Sequence, residues 1–91
     1  MDRSKLPKEI VSKLDGYTWI KLPSLSENEQ TRMIITISKN YTKLKSQLEV
    51  NGFKLINRFE NKILIIGYVR DIFRLGDTLE FIESIEISKS M

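Results

Sequence analysis

The fold is decided by residues 32–69, which read RMIITISKNYTKLKSQLEVNGFKLINRFENKILIIGYV. Three stretches of this sequence are rich in β-branched and aromatic residues and predict strands at 33–38, 53–59 and 63–69. A helix is predicted between the first two strands, at 40–50, because apolar residues recur there every three or four positions. Asn51-Gly52 follows it and can end a helix in a left-handed turn.

The second half of the pattern repeats this arrangement. Glu60-Asn61-Lys62 is short and polar enough to turn a hairpin between the second and third strands. A second helix is predicted to begin at Asp71 and to bury a stripe of four residues, Ile72, Leu75, Leu79 and Ile82. The last strand is predicted at 84–88. The strand–helix–strand order, given twice, predicts an α+β ferredoxin-like βαββαβ domain, with four antiparallel strands and both helices on one face.

Residues 1–30 precede this unit and predict an N-terminal helical extension, so we divide the chain into residues 1–30 and 31–91. A short helix is expected at 4–16, with Ser4 as its cap and Gly16 as its end. A short strand is expected at 17–22 and a polar loop at 24–30. In this interpretation Trp19 and Ile20 cover the sheet face that the helices leave open.

The alternation of the strands and the spacing of the helices predict one core. Within 53–59, the pattern puts Phe53, Leu55 and Phe59 on the same face. The predicted core residues are Ile35, Ile37, Leu44, Leu48, Leu55, Ile65, Ile72, Leu75, Leu79 and Ile85.

Composition excludes several classes of function. The chain has no Cys and no His, which removes thiolate zinc sites, disulfides, cysteine nucleophiles and imidazole bases. Asp77, Glu80 and Glu83 are spaced by three and predict a solvated face rather than an acid–base pair. We therefore expect no enzyme and no cofactor. We also expect a cytoplasmic protein, since the first residues lack a secretory signal and no apolar run is long enough to cross a membrane.

Positive charge is concentrated in the middle of the chain, where residues 31–62 carry seven Lys and Arg against two Glu. Such a surplus can bind phosphates or an acidic partner, or it can simply be a solvated surface. If it binds nucleic acid, the candidate residues are Arg32, Lys39, Lys43, Lys45, Lys54, Arg58 and Lys62. An RNA-recognition sheet would also need stacking aromatics on its central strands, and these strands supply only Tyr68.

The C-terminal two thirds of the chain resemble the propeptides of subtilisin-like serine proteases and the free-standing inhibitors related to them. The resemblance lies in Gly52 at the turn, Phe59 near a strand end, Gly67 within the third strand and the ending IESIE at 82–86. It implies the βαββαβ fold and a sheet that docks on two surface helices of a protease. Glu86 would then meet the helix N-termini. The tail, Ser88, Lys89, Ser90 and Met91, would enter the substrate cleft as an added strand.

Two departures from the family pattern accompany this resemblance. The family usually has a second acidic residue soon after the first, whereas Ile87-Ser88 follows Glu86 here. The tail beyond Ser88 has only three residues. Three hypotheses therefore stay open: a propeptide-like inhibitor or folding assistant, a basic accessory subunit of a nucleic-acid-handling complex, and a structural module that dimerises through strand edges. The sequence leaves the oligomeric state undecided.

Overall fold

The computed structural model describes residues 1–88 of the chain. The principal elements, in chain order, are α1 (Lys8–Val11), α2 (Gly16–Lys21), β1 (Gln30–Ile37), α3 (Tyr41–Val50), β2 (Lys54–Phe59), β3 (Lys62–Tyr68), a 3-10 helix (Val69–Phe81) and β4 (Ile82–Ile87). Two shorter 3-10 turns lie in the N-terminal part, at Arg3–Lys5 and Leu22–Ser24. None of the helices in these 88 residues combines the length and the apolar character that crossing a bilayer requires.

The four strands form one antiparallel sheet with the order β2-β3-β1-β4. The chain is therefore α+β with helices packed on a four-stranded antiparallel sheet, which confirms the predicted fold class. The strand order is the one that two successive strand–helix–strand crossovers produce when a hairpin joins them. β1 and β3 are the central strands, and β2 and β4 lie at the two edges.

Local sequence sets the bounds of α3 as predicted. Asn40 precedes the helix at φ 52°, and its side chain accepts a hydrogen bond from the Lys43 N–H at 3.3 Å. Gly52 follows it at φ +90°, a conformation that favours glycine because a Cβ would be strained there. The sequence therefore encodes both ends of this helix.

Gly67 makes room for an aromatic ring inside the core. A Cβ at this position would lie 2.5 Å from Cδ1 and 2.8 Å from Cε1 of Phe53, whose ring is buried. The small residue in the third strand, one of the features on which the family resemblance depends, is thus explained by close packing of Phe53 against the backbone of β3.

The segment after β3 differs from the prediction, because it is a 3-10 helix rather than an α-helix beginning at Asp71. A 3-10 helix has three residues per turn, so its inner face repeats every third residue. Its buried residues follow that spacing: Val69, Ile72, Leu75, Thr78 and Phe81. Of the stripe predicted from α-helical spacing, Leu79 is only partly buried and Ile82 already belongs to β4.

A β-bulge in β2 overturns the predicted face of Phe59. Leu55 pairs with Ile65, but Asn57 pairs with Leu64, so one extra residue, Ile56, is inserted between them. One extra residue reverses the alternation of every side chain that follows. Phe59 therefore leaves the face of Phe53 and Leu55 and is 55% exposed.

The N-terminal residues depart most from the predictions. Residues 4–16 form only the short α1 and a preceding turn, and 17–22 is helical instead of extended. Gly16 begins α2 rather than ending a helix, because Asp15 caps α2 by accepting the Thr18 N–H at 3.0 Å. Ile20 is 74% exposed and covers nothing, while Trp19 is half-buried beneath the guanidinium of Arg3.

The extension instead completes the core and closes one edge of the sheet. Leu6, Ile10 and Leu22 are buried in the same apolar cluster as the inner residues of the sheet. The outer edge of β4 is paired as well, since the Ile85 N–H donates to the Lys13 carbonyl at 2.8 Å. This bridge covers the outer edge of β4 at Ile85, so β2 is the more exposed edge of the sheet.

Most of the predicted core is buried. Seven of the predicted residues are buried, namely Ile35, Leu44, Leu48, Ile65, Ile72, Leu75 and Ile85. Ile37, Leu55 and Leu79 are partly buried and pack against these residues. Within residues 1–88 every buried side-chain nitrogen and oxygen has a hydrogen-bond partner, which is the normal condition of a folded core.

Candidate functional site

The sheet has one face packed against the helices and one face turned away from them. Met33, Ile35, Ile63, Ile65 and Ile85 point into the core. Their neighbours along each strand point to the other side, because side chains alternate across a sheet. We call this second side the open face and define it by Arg32, Ile34, Thr36, Lys54, Ile56, Asn57, Phe59, Lys62, Leu64, Ile66, Tyr68, Ser84 and Glu86.

The centre of the open face is aliphatic. Ile34 pairs with Leu64 across β1 and β3, and Ile66 lies one pair further along β3. All three side chains are half-buried. Ile56 and Phe59 of β2 extend this patch and are 43% and 55% exposed. Neighbouring apolar side chains that residues 1–88 leave partly or largely exposed are typical of a surface that binds a partner.

The charges of the open face are mostly positive. Arg32, Lys54 and Lys62 surround the apolar centre, and Glu86 is the single carboxylate among the residues that define the face. None of these four side chains takes part in an ion pair or a hydrogen bond with another residue of the part of the chain that the structure describes. Their charges are therefore available to a partner of complementary charge.

Glu86 lies where the alternation of β4 predicts it. Ile85 and Ile87 are buried against the helices, and Glu86 between them is half-buried on the open face, opposite Ile34 of β1. The prediction that this carboxylate faces away from the helices is confirmed. It has an aliphatic side chain opposite it and no basic group paired with it within residues 1–88.

The seven basic residues of the nucleic-acid hypothesis do not form one surface. Arg32, Lys54 and Lys62 lie on the open face. Lys43 and Lys45 are exposed on α3, in the layer behind the sheet, and Lys39 lies in the loop before α3. The bulge turns Arg58 toward the helices, where its guanidinium lies 3.8 Å from the ring centroid of Tyr41.

Two aromatic residues, Tyr68 and Phe59, belong to the open face, although the sequence pattern did not predict that they share it. Tyr68 is 37% exposed, and the guanidinium of Arg70 lies 4.3 Å from the centroid of its ring. Phe59 joins the same face only because of the bulge. A weak sequence signal for this does exist: Ile56-Asn57 interrupts the alternation of FKLINRF with two successive residues, one apolar and one polar, that can both oppose Leu64.

The chain leaves the sheet beside the open face. The Ser88 N–H donates to the Arg32 carbonyl at 2.9 Å, and the Ile87 N–H donates to the buried hydroxyl of Thr18 at 2.8 Å. The end of β4 is therefore fixed on both sides. Three of the predicted tail residues, Lys89, Ser90 and Met91, lie outside the described residues.

Other chemistry is sparse within residues 1–88. No three acidic side chains there stand close enough together to hold a metal ion. The pKa of Asp2 is held below its ordinary value, chiefly because the Ser4 hydroxyl and N–H donate hydrogen bonds to its carboxylate. That carboxylate caps the first turn of the chain, so the shift reflects a helix cap.

Comparison with models of known families, with curated proteins and with solved structures gives no match to this chain. Any functional assignment therefore depends on the geometry of the open face and on the sequence resemblance.

Proposed function

We propose that this chain is a non-enzymatic binding module that docks a protein partner on its open face, in the manner of the propeptide-like inhibitors of subtilisin-type serine proteases that its sequence resembles. The fold class agrees with that resemblance. Glu86 lies on the open face of the last strand, where the family pattern puts its acidic residue. In this account, the sheet supplies the docking area and the C-terminal tail supplies the inhibition.

The position of Glu86 supports this proposal most. A carboxylate among aliphatic side chains loses its hydration when a partner covers it, and that loss is costly unless the partner supplies donors. Helix N-termini supply unpaired N–H groups and a favourable dipole. Because Glu86 has no such donor within residues 1–88, the partner must supply it.

The charge of the face restricts the partner further. With three basic residues and one carboxylate, the open face has a net positive charge. The open faces of two copies of this chain would therefore repel each other. A partner with an acidic surface around two helix N-termini fits both the positive rim and Glu86.

The experiment is a binding and inhibition assay of the full chain against a panel of subtilisin-type proteases. Glu86→Gln should weaken binding about ten- to a hundredfold, because a hydrogen bond to a charged group contributes about 1.5–3 kcal/mol. Its unfolding should not change, since the carboxylate makes no contact that supports the fold.

The matched control is Glu83→Gln, which removes an exposed charge from the same strand. It should leave binding within about twofold of the parent, in line with the small contribution of an exposed charge. Removal of Lys89–Met91 should reduce inhibition more than binding. Equal affinity of Glu86→Gln and the parent, or no inhibition of any protease by the parent, would contradict the proposal.

Nucleic-acid binding is the alternative, and one observation favours it: the bulge brings Phe59 onto the face that carries Arg32, Lys54, Lys62 and Tyr68. Single-stranded nucleic acids bind surfaces that combine cations with stacking aromatics. The aliphatic centre of the face offers no such stacking, however, so a protein partner suits it better. Salt-dependent binding of a single-stranded oligonucleotide that Lys62→Glu weakens would favour this alternative instead.

A further inference from the structure

The open face continues into a cavity at one end of the sheet. The cavity has a volume of about 670 Å³ and lies between the start of β1, the end of β4 and residues 17–25. Arg32 and Ile66, which are cross-strand partners on the open face, also line this cavity. A protein that covers the open face would therefore contact two of the residues that line the cavity.

The charge of the cavity is positive. Lys21 and Arg32 line it, and neither side chain is hydrogen-bonded or ion-paired within residues 1–88. Glu29 is the one carboxylate among the lining residues, and it already accepts the Ser26 N–H at 2.6 Å. A hydrogen bond from a neutral N–H leaves the charge of Glu29 in place, so two cations and one carboxylate give the lining a surplus of one positive charge, which is complementary to an anionic group.

The rest of the lining restricts the kind of anion. Leu25, Ile66 and Ile87 give the cavity an apolar wall, which suits the methylene groups of an acidic side chain. Gln30 and Thr31 add neutral hydrogen-bonding groups beside the two cations. A carboxylate on a short aliphatic stem satisfies both parts of this lining, whereas a phosphate group leaves the apolar wall uncovered.

We infer that this cavity receives an Asp or Glu side chain of the protein that docks on the open face, with its carboxylate between Lys21 and Arg32. The inference rests on the proposed function in one respect, that a protein covers the open face. It also gives the N-terminal extension a part in recognition, because Lys21 belongs to α2 and not to the sheet.

The first test compares two charge reversals in the N-terminal extension. Lys21→Glu should weaken binding to an inhibited subtilisin-type protease about tenfold at low salt. This loss of affinity should be smaller at about 0.5 M NaCl, because salt screens exposed charges. Lys8→Glu makes the same change in net charge on α1, away from the cavity, and should change the affinity less than about twofold. If the two variants lost affinity equally, the change in net charge alone would explain the loss, and the inference would be overturned.

The second test needs no protease. N-acetylglutamate α-amide, whose one carboxylate is that of the side chain, should shift the amide resonances of Thr31 and Arg32 when added at about millimolar concentration to the labelled full chain, as expected of a weak site. Lys21→Met should abolish these shifts, and the uncharged N-acetylglutamine α-amide should not produce them. Equal shifts with N-acetylglutamine α-amide, or tighter binding of inorganic phosphate, would overturn the carboxylate assignment. Shifts with N-acetylglutamate α-amide in a chain that binds no protease would support the cavity and reject the proposed function.

Discussion

Ile10→Ala should lower the free energy of unfolding by about 2–5 kcal/mol, although Ile10 precedes the strand–helix unit that carries the fold. Ile10 is fully buried and belongs to the same cluster as the inner face of the sheet. Truncation removes apolar contacts and leaves a cavity that the surrounding side chains fill only in part. Chemical denaturation of the full chain, followed by circular dichroism, measures this loss.

The matched control for this prediction is Ile20→Ala, ten residues further along the same extension. Ile20 is 74% exposed, so the same truncation should change stability by less than about 0.5 kcal/mol. If both variants were equally stable, the extension would not be part of the core. The packing of Leu6, Ile10 and Leu22 against the sheet would then be wrong.

The second large effect distinguishes the 3-10 helix from the α-helix that the sequence predicts. Leu75→Ala should cost about 2–5 kcal/mol, because Leu75 is fully buried. Leu79→Ala should cost clearly less, about 1 kcal/mol, because Leu79 is only partly buried when the inner face repeats every third residue. Equal losses of stability in the two variants would support α-helical spacing and contradict the three-residue spacing of the buried face.

The strands and α3 could be predicted from the sequence because local and long-range preferences agree there. β1 and β3 are rich in isoleucine, and α3 has both an Asn cap and a Gly-containing end. The orientation of Glu86 could be predicted for the same reason. Burial of Ile85 and Ile87 on the core side of β4 puts Glu86 on the opposite side of the sheet.

The 3-10 helix could not be predicted because two spacings fit one sequence. Ile72 and Leu75 belong to both patterns. Only the packed structure decides whether Thr78 and Phe81 or Leu79 and Ile82 continue the buried stripe. Secondary-structure preferences are too weak to decide this without tertiary contacts.

Tertiary contacts also explain the two errors that matter most for the site. The aromatic and β-branched sequence YTWIKL favours a strand, but the Asp15 cap and the burial of Thr18 and Leu22 favour a helix, and burial prevails. The bulge at Ile56 adds one residue to one strand, and the interrupted alternation at Ile56-Asn57 is too short a signal to fix its position without the partner strand. Phe59 and Lys21 were therefore missed or misplaced as candidate surface residues.

The most direct test of the central claim is to locate the binding surface itself. Methyl resonances of the full chain should be recorded with and without a subtilisin-type protease whose nucleophilic serine is replaced by alanine. The methyl resonances of Ile34, Leu64 and Ile66 should shift on binding, since the partner covers the open face. Those of Ile10, Leu48 and Leu75, which lie in the buried core, should not shift. Absence of any shift, or shifts confined to residues of α3 and the 3-10 helix, would contradict the central claim.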